Sequence, residues 1–395
     1  MIGWRKTAIN SRILKYLRGF AVTSPIAFID LQAQRRRIAD KIETAIKRVL
    51  EHGAYVMGPE ILEMEKQLAQ WGGVRHALAC ASGTDALVLA LMARGIGLGD
   101  AVMVPSFTFV ATAEAVVLAG ATPVFVDILP DTLCMDPQSL ERAIKAAAQA
   151  GLKPKAVIPV DLFGQPADYP ALTAVAGDLL MIADAAQSFG AKLNGKPVGS
   201  MAAMTTTSFF PAKPLGCYGD GGAVLTDDDE LIDILRSIRS HGQGKDRYEH
   251  VRIGVNGRMD TMQAAIMLEK LAIFGEEIEL RDAVARRYTE ALADVVETPV
   301  VISGGTSVWA QYTFTVDDRD GVMKALQGLG VPTGVYYPTP IHMQPPYAHY
   351  PADPQGLTVT EAKRSRVLSL PMHPYLDAAT QDRVIAAVRQ VVGAK

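Results

Sequence analysis

Ala101-Val-Met-Val-Pro105-Ser-Phe-Thr-Phe109-Val-Ala-Thr112-Ala-Glu114-Ala-Val-Val-Leu-Ala-Gly120-Ala-Thr-Pro123-Val-Phe-Val126 carries the choice between two architectures. Glu114 is its only charged residue, and the run is long enough to suggest a membrane span. Pro105, Gly120 and Pro123 instead divide it into strand, helix and strand. Parallel strands covered on both faces read as unbroken apolar runs of this kind. In lipid, interruptions of that sort would leave backbone groups without partners. The stretch therefore predicts a strand–helix–strand unit rather than a span.

The same alternation continues outward. Strands are predicted at His76–Cys80, Ala101–Pro105, Pro123–Asp127, Ala156–Asp161, Leu180–Asp184, Met204–Phe210 and Ala223–Thr226. Segments of helical spacing lie between most of them, among them Asp85–Arg94, Thr112–Ala119 and Glu230–Ile238. Such a pattern predicts an open α/β sheet, largely parallel, with helices on both faces. Ligands of such sheets bind beyond the carboxyl ends of the strands, so polar residues just after strands are the ones to weigh. The globular part begins near Phe28, followed by a helix with Ile38, Ile42, Ile46 and Val49 along one face. After Phe274 the texture changes. A charged helix (Glu276–Val296) leads to strand-like Trp309–Val316, a helix at Gly321–Leu329, a strand at Gly334–Tyr337 and a last helix at Asp377–Val392. The expected organisation is a basic extension over residues 1–25, a large domain over 26–275 and a smaller α+β domain over 276–395.

Composition narrows the function classes. Of 395 residues 49% are hydrophobic and 21% charged, and the formal net charge of −3 gives no reason to expect a nucleic-acid partner. Cys80, Cys134 and Cys217 are distant from one another and form no CxxC pair, and the seven histidines show no metal-ligand spacing, so no metal is expected. Residues 1–25 hold Arg5, Lys6, Arg12, Lys15 and Arg18 and no acid. They lack the continuous apolar core of a secretory signal, and a cytoplasmic protein without a membrane partner is expected.

Three strand ends carry chemistry. Ser82-Gly83-Thr84 joins a strand to an apolar helix, where free backbone N–H groups and the helix dipole suit a phosphate; an ordinary helix cap explains the motif equally well. Asp184 ends the apolar strand Leu-Leu-Met-Ile-Ala-Asp, where a buried carboxylate calls for a cationic partner such as a protonated pyridine nitrogen, or serves as a cap or structural ion pair. Lys213, in Ser208-Phe-Phe-Pro-Ala-Lys213-Pro-Leu-Gly216, is flanked by Phe209, Phe210, Pro211 and Pro214. Poor solvation lowers a lysine's pKa and favours its nucleophilic form. Gly95-Ile-Gly-Leu-Gly99 follows a helix rather than a strand and lacks the spacing of a dinucleotide fingerprint.

Together with Gly58-Pro59-Glu60, the 105–112 stretch, Asp184 through Gly190 and Ser208 through Gly222, these motifs resemble the DegT/DnrJ/EryC1/StrS sugar aminotransferases from about Phe28 to the C-terminus. The resemblance implies the fold-type I architecture of pyridoxal 5′-phosphate (PLP) enzymes and a homodimer with shared active sites. It implies that Lys213 carries PLP as a Schiff base, Asp184 meets the ring nitrogen, Phe109 stacks on the ring and Gln187 bonds its hydroxyl. Gly83, Thr84 and Ser208 match the phosphate ligands, and Asn256 matches a residue that reaches the neighbouring subunit's phosphate. Some members have histidine in place of the lysine and act as dehydratases; Lys213 points to transamination, with glutamate as the amino donor. Stretches such as Arg252–Gln263 and Ser369–Leu376 are most similar to enzymes that aminate a UDP-linked 3-keto-N-acetylglucosaminuronate for lipopolysaccharide O-antigen. The alternatives are other UDP- or dTDP-linked keto-sugars, or a PLP-binding regulator without turnover. Arg258 is then a candidate for a carboxylate, or for an ion pair with Asp260. Tyr337 and His342 are candidates for the sugar site, although some relatives carry histidine where Tyr336 stands.

Overall fold

The computed structural model describes residues 25–393 except residue 247; the basic extension expected over residues 1–25 thus lies, but for Pro25, outside the described residues. Strands β1 (His76–Cys80), β2 (Asp100–Pro105), β3 (Thr122–Val126), β4 (Lys153–Val157), β5 (Leu180–Asp184), β6 (Met204–Ser208) and β7 (Gly222–Thr226) form one sheet. Their spatial order is β1–β7–β6–β5–β4–β2–β3. The pairs β2–β3, β2–β4, β4–β5 and β5–β6 are parallel. Strand β7 runs antiparallel to both β6 and β1. The exception follows from connection length: parallel neighbours need a crossover, whereas the short loop carrying Lys213 returns the chain directly beside β6.

Helices α1 (Leu31–Arg37), α2 (Ala39–His52) and α3 (Pro59–Gly72) precede the sheet. Pro59 opens α3 at a position where a missing N–H costs nothing. Helices α4 (Gly83–Ala93), α5 (Ala111–Leu118), α6 (Pro137–Gln149) and α7 (Tyr169–Ala176) lie between the strands in the chain, and α8 (Asp229–Arg239) follows β7. The alternating side chains of β2 explain its apolar run. Val102 and Val104 enter a core with α4, α5 and α8, whereas Ala101 and Met103 enter the opposite one with α6 and α7. No helix among the described residues is long and apolar enough to cross a membrane.

The C-terminal part departs from its sequence pattern twice. The charged helix expected from Glu276 is the second half of one 32-residue helix, α9 (Thr261–Leu292). Its first half buries Ala264, Met267, Leu271 and Phe274 against α3 and the strands β1 and β7, so the chain is helical well before it becomes charged. The strand expected at Gly334–Tyr337 is a single bridge, Gly334 to Ser369. Beyond it Tyr336 and Tyr337 turn onto the core of the large sheet, and Pro338 and Pro340 have no N–H to extend a ladder. Strands β8 (Tyr312–Thr315) and β9 (Val367–Leu370) pair antiparallel. Together with α10 (Arg319–Gly328), α12 (Ala378–Val392) and the end of α9 they enclose a separate core that takes in Tyr288, Phe314, Leu326, Leu368 and Val388; α11 (Thr358–Lys363) lies outside it.

Candidate active site

The carboxyl end of the parallel strands gathers the candidate residues. Asp184 closes β5 and is buried; its carboxylate accepts the Thr112 hydroxyl at 3.0 Å and the Ala186 N–H at 3.2 Å. Burial raises its pKa, opposed by the Ala186 N–H, the charge of Lys213 and the Thr112 hydroxyl. Lys213 lies on the β6–β7 loop, where its N–H donates to the Phe210 carbonyl at 2.8 Å. Burial lowers the Lys213 pKa and the Asp184 charge opposes the shift. The two therefore form one electrostatic unit in which each supports the other's charge against desolvation.

The Ser82-Gly83-Thr84 motif caps its helix and leaves amides available for a ligand. Ser82 Oγ caps α4 by accepting the Asp85 N–H at 3.0 Å. The Gly83 and Thr84 amides belong to the first helical turn and so have no partner within the helix. Ser208, at the end of β6, pairs with Gly222 on β7. A Cβ on Gly83 would stand 2.6 Å from Ser208 Cβ, and one on Gly222 would stand 2.3 Å from the Ser82 carbonyl. Only glycine allows these close approaches, and the result sets the first-turn amides of α4 beside Ser208, an arrangement suited to a phosphate. The phosphate cradle, the buried carboxylate and the desolvated amine fit the three polar ends of PLP.

Other candidates are arranged around this centre. Phe109 follows β2, is 55% exposed, and its ring lies 6.3 Å from that of Tyr337. Gln187 is fixed at both ends: its Oε1 accepts the Phe163 N–H at 2.7 Å and its Nε2 donates to the Tyr337 hydroxyl at 3.3 Å. Burial raises the Tyr337 pKa, opposed by that hydrogen bond. His342 is engaged at both ring nitrogens, Nδ1 with Ser106 Oγ at 2.7 Å and Nε2 with Glu361 at 3.4 Å. Asn256 is exposed, and its Oδ1 accepts from Arg258 Nε at 3.0 Å and Nη2 at 2.6 Å. That contact replaces the ion pair with Asp260, which instead stands at the N-cap of α9.

Three neighbours escaped the sequence reading. Thr112 belongs to the 105–112 stretch and to a predicted helix, but neither gives it a partner, and its bond to Asp184 spans 72 positions. Ser106 clamps the 341–342 segment through its carbonyl and its hydroxyl, a long-range contact with no local signal. Asp161 did carry a signal, since it ends an apolar stretch as Asp184 does. It is buried and accepts the Ser188 hydroxyl at 2.6 Å, the Tyr169 hydroxyl at 2.8 Å and the Ala167 N–H at 2.8 Å. Burial pushes its pKa up to about 7 against those hydrogen bonds.

The profile of the DegT/DnrJ/EryC1/StrS aminotransferase family matches residues 36–389. The sequence is 50% identical over 366 residues to the UDP-2-acetamido-2-deoxy-3-oxo-D-glucuronate aminotransferase of Pseudomonas aeruginosa, covering 92% of this chain and 99% of that one. The crystal structure of a DegT/DnrJ/EryC1/StrS aminotransferase from Brucella abortus superposes with a TM-score of 0.92 at 53% identity, covering 93% of this chain and 100% of that one. NtdA from Bacillus subtilis, solved with bound cofactor PMP, superposes with a TM-score of 0.86 at 32% identity, covering 94% of this chain and 86% of that one.

Proposed function

Because the chain belongs to the DegT/DnrJ/EryC1/StrS aminotransferase family, we propose that it moves an amino group from glutamate to carbon 3 of UDP-2-acetamido-2-deoxy-3-keto-D-glucuronate. It is a nucleotide-sugar aminotransferase, and PLP is its cofactor. The buried Asp184 carboxylate, held by Thr112 and the Ala186 N–H and within electrostatic reach of a desolvated Lys213, carries the catalytic part of this reading. The 50% identity over nearly the whole of both chains supports the substrate.

The cofactor, when bound, supplies an electron sink next to the carbon that bears the amino group. Lys213 Nζ would anchor it and, as a free amine, would take a proton from the donor's Cα and give it back, acting as base and then acid. Asp184 would hold the ring nitrogen in its protonated form. Thr112 and the Ala186 N–H keep that carboxylate oriented. Gly83, Thr84 and Ser208 would hold the phosphate, Phe109 would cover the ring and Gln187 would serve its hydroxyl. Arg258 binds a carboxylate of the sugar or of glutamate, with Asn256 setting the plane of its guanidinium; Tyr337 and His342 border the sugar.

In this reading the enzyme is a cytoplasmic homodimer in which Asn256 reaches the neighbouring subunit's phosphate. The exposed apolar side chains of Val251 and Ile253, on the segment that carries Asn256, support such an assembly. The small domain begins within α9, at about residue 276. The 3-amino product serves lipopolysaccharide O-antigen synthesis.

The test is spectroscopic first. Holoprotein should be yellow, and glutamate should bleach the visible band; a Lys213→Ala variant that kept the same band would remove the anchor from Lys213. A coupled assay across UDP- and dTDP-linked 3-keto and 4-keto sugars then decides the substrate. A clear preference for a 4-keto sugar would overturn the position of amination.

A further inference from the structure

Helix α9 grips the loop that carries Lys213 at two points on one face. Gln263 Oε1 accepts the Tyr218 N–H at 2.9 Å, and Lys270 Nζ donates to the Gly216 carbonyl at 2.5 Å. Lys270 is only 1% exposed, and its ammonium lies 4.3 Å from the centroid of the Tyr218 ring. Among the described residues no carboxylate is within ion-pair reach of it: Glu277, about two turns further along the helix, is taken up by Gln34 and Tyr375. Burial pushes the Lys270 amine down to about 8, with Glu277 and Cys217 opposing.

An ammonium held away from water by a carbonyl and a ring face is costly. A methionine or leucine would fill a similar space without that cost. What the lysine holds is the reason to look for a role. A Cβ on Gly216 would stand 2.5 Å from the Phe210 carbonyl and 2.7 Å from that of Pro211. The Gly216 backbone is thus pressed against the turn closed by the Lys213 N–H and the Phe210 carbonyl. The Cys217 N–H, bonded to the Phe209 carbonyl at 2.8 Å, closes the loop's other side.

We propose that Lys270 is a positioning residue for Lys213: its charged hydrogen bond to Gly216 and its seat on Tyr218 fix the β6–β7 loop, and with it the line along which Lys213 Nζ meets the cofactor. The proposal rests on the aminotransferase reading given above. It assigns Lys270 no contact with substrate or cofactor, so its loss acts on the chemical step and on anchoring rather than on sugar binding.

The experiment compares wild-type and Lys270→Met holoprotein. Borohydride fixation of PLP on Lys213, followed by mass spectrometry of the Lys213 peptide, should slow about tenfold or more, since a small misplacement of a reacting group costs up to about 100-fold. kcat should fall by a similar factor while KM for the nucleotide sugar is unchanged. A folded Lys270→Met protein with wild-type fixation and wild-type kcat overturns the proposal and leaves Lys270 a packing residue. Should that variant not be recovered folded, Lys270→Gln, which keeps a donor but loses the charge, decides by the same two measurements: slower fixation supports the proposal and wild-type rates overturn it. Wild-type protein that takes up no PLP on Lys213 would fail the aminotransferase reading instead, so the two failures are distinct.

Discussion

Two buried aspartates stand side by side beyond the ends of adjacent strands and have opposite surroundings. Asp161 follows β4 and Asp184 ends β5, and the Asp161 N–H donates to the Asp184 carbonyl at 3.1 Å. Both follow apolar stretches, and burial raises the pKa of both. Asp161 has only neutral donors, two hydroxyls and an amide, and the one charge acting on it is that of Asp184, which pushes its pKa further up. Asp184 faces one hydroxyl, one amide and the charge of Lys213. A carboxylate surrounded by neutral donors is a brace. One beside a lysine, with bonding capacity to spare, can answer to a cationic ligand. The lesson is that an acid at a strand end is assigned by its partners and not by its burial.

The sharpest break of this contrast is to neutralise each acid in turn. Asp184→Asn should lower kcat by about 100-fold or more, the scale expected when a preorganised electrostatic partner is lost. Asp161→Asn, measured in the same steady-state assay, should stay within about tenfold of wild type. Equal losses would erase the distinction. Stability should order the pair the other way. Asp161→Ala orphans the Tyr169 and Ser188 hydroxyls and the Ala167 N–H, at about 1–3 kcal/mol for each buried group left unsatisfied. Its denaturant midpoint should therefore fall well below that of Asp184→Ala, whose site has fewer donors to orphan.

A smaller effect sharpens the Asp184 side. Thr112→Val keeps the shape but removes one donor from the carboxylate, a change of about 1 kcal/mol. It should lower kcat by about 5-fold and raise the pKa of Asp184, visible as a rightward move of the acid limb of the pH–rate profile. The mildest effect belongs to Asp161 and pH. Its folded pKa of about 7 lies above the unfolded value of about 3.9. The folded state therefore binds the proton more tightly. The stability this contributes is fully present below about pH 4 and is lost as pH rises through about 7. Unfolding midpoints measured from pH 4.5 to 8 should show this component in wild type and lose it in Asp161→Asn.

The residues differ in how far they could be read from the chain. Strands His76–Cys80 and Leu180–Asp184 have the boundaries their apolar runs predict, because strand burial on two faces leaves an unbroken pattern. The start of α9 was not legible: its first half is apolar where it packs on the sheet and its second half charged where it leaves it, so one helix reads as two textures. Nor was the end of pairing at Gly334, since Tyr336 and Tyr337 suit a strand by propensity and are drawn off by packing. At the site, Gly83, Lys213 and Asp184 stand out in the sequence as unusual residues at strand ends. Thr112, Ser106 and Lys270 do not, because each acts on a residue far away in the chain.

By itself, then, the sequence determined the layered α/β architecture and put Gly83, Asp184 and Lys213 at or just after strand ends. The architecture is written in local periodicity, whereas the roles proposed for those residues came from the resemblance. Tertiary structure alone decided that Thr112 holds the Asp184 carboxylate, that Arg258 takes Asn256 rather than Asp260, and that a buried lysine on α9 holds the loop. The physical reason is common to all three: partner choice depends on distances between segments that adjoin only after the sheet has formed.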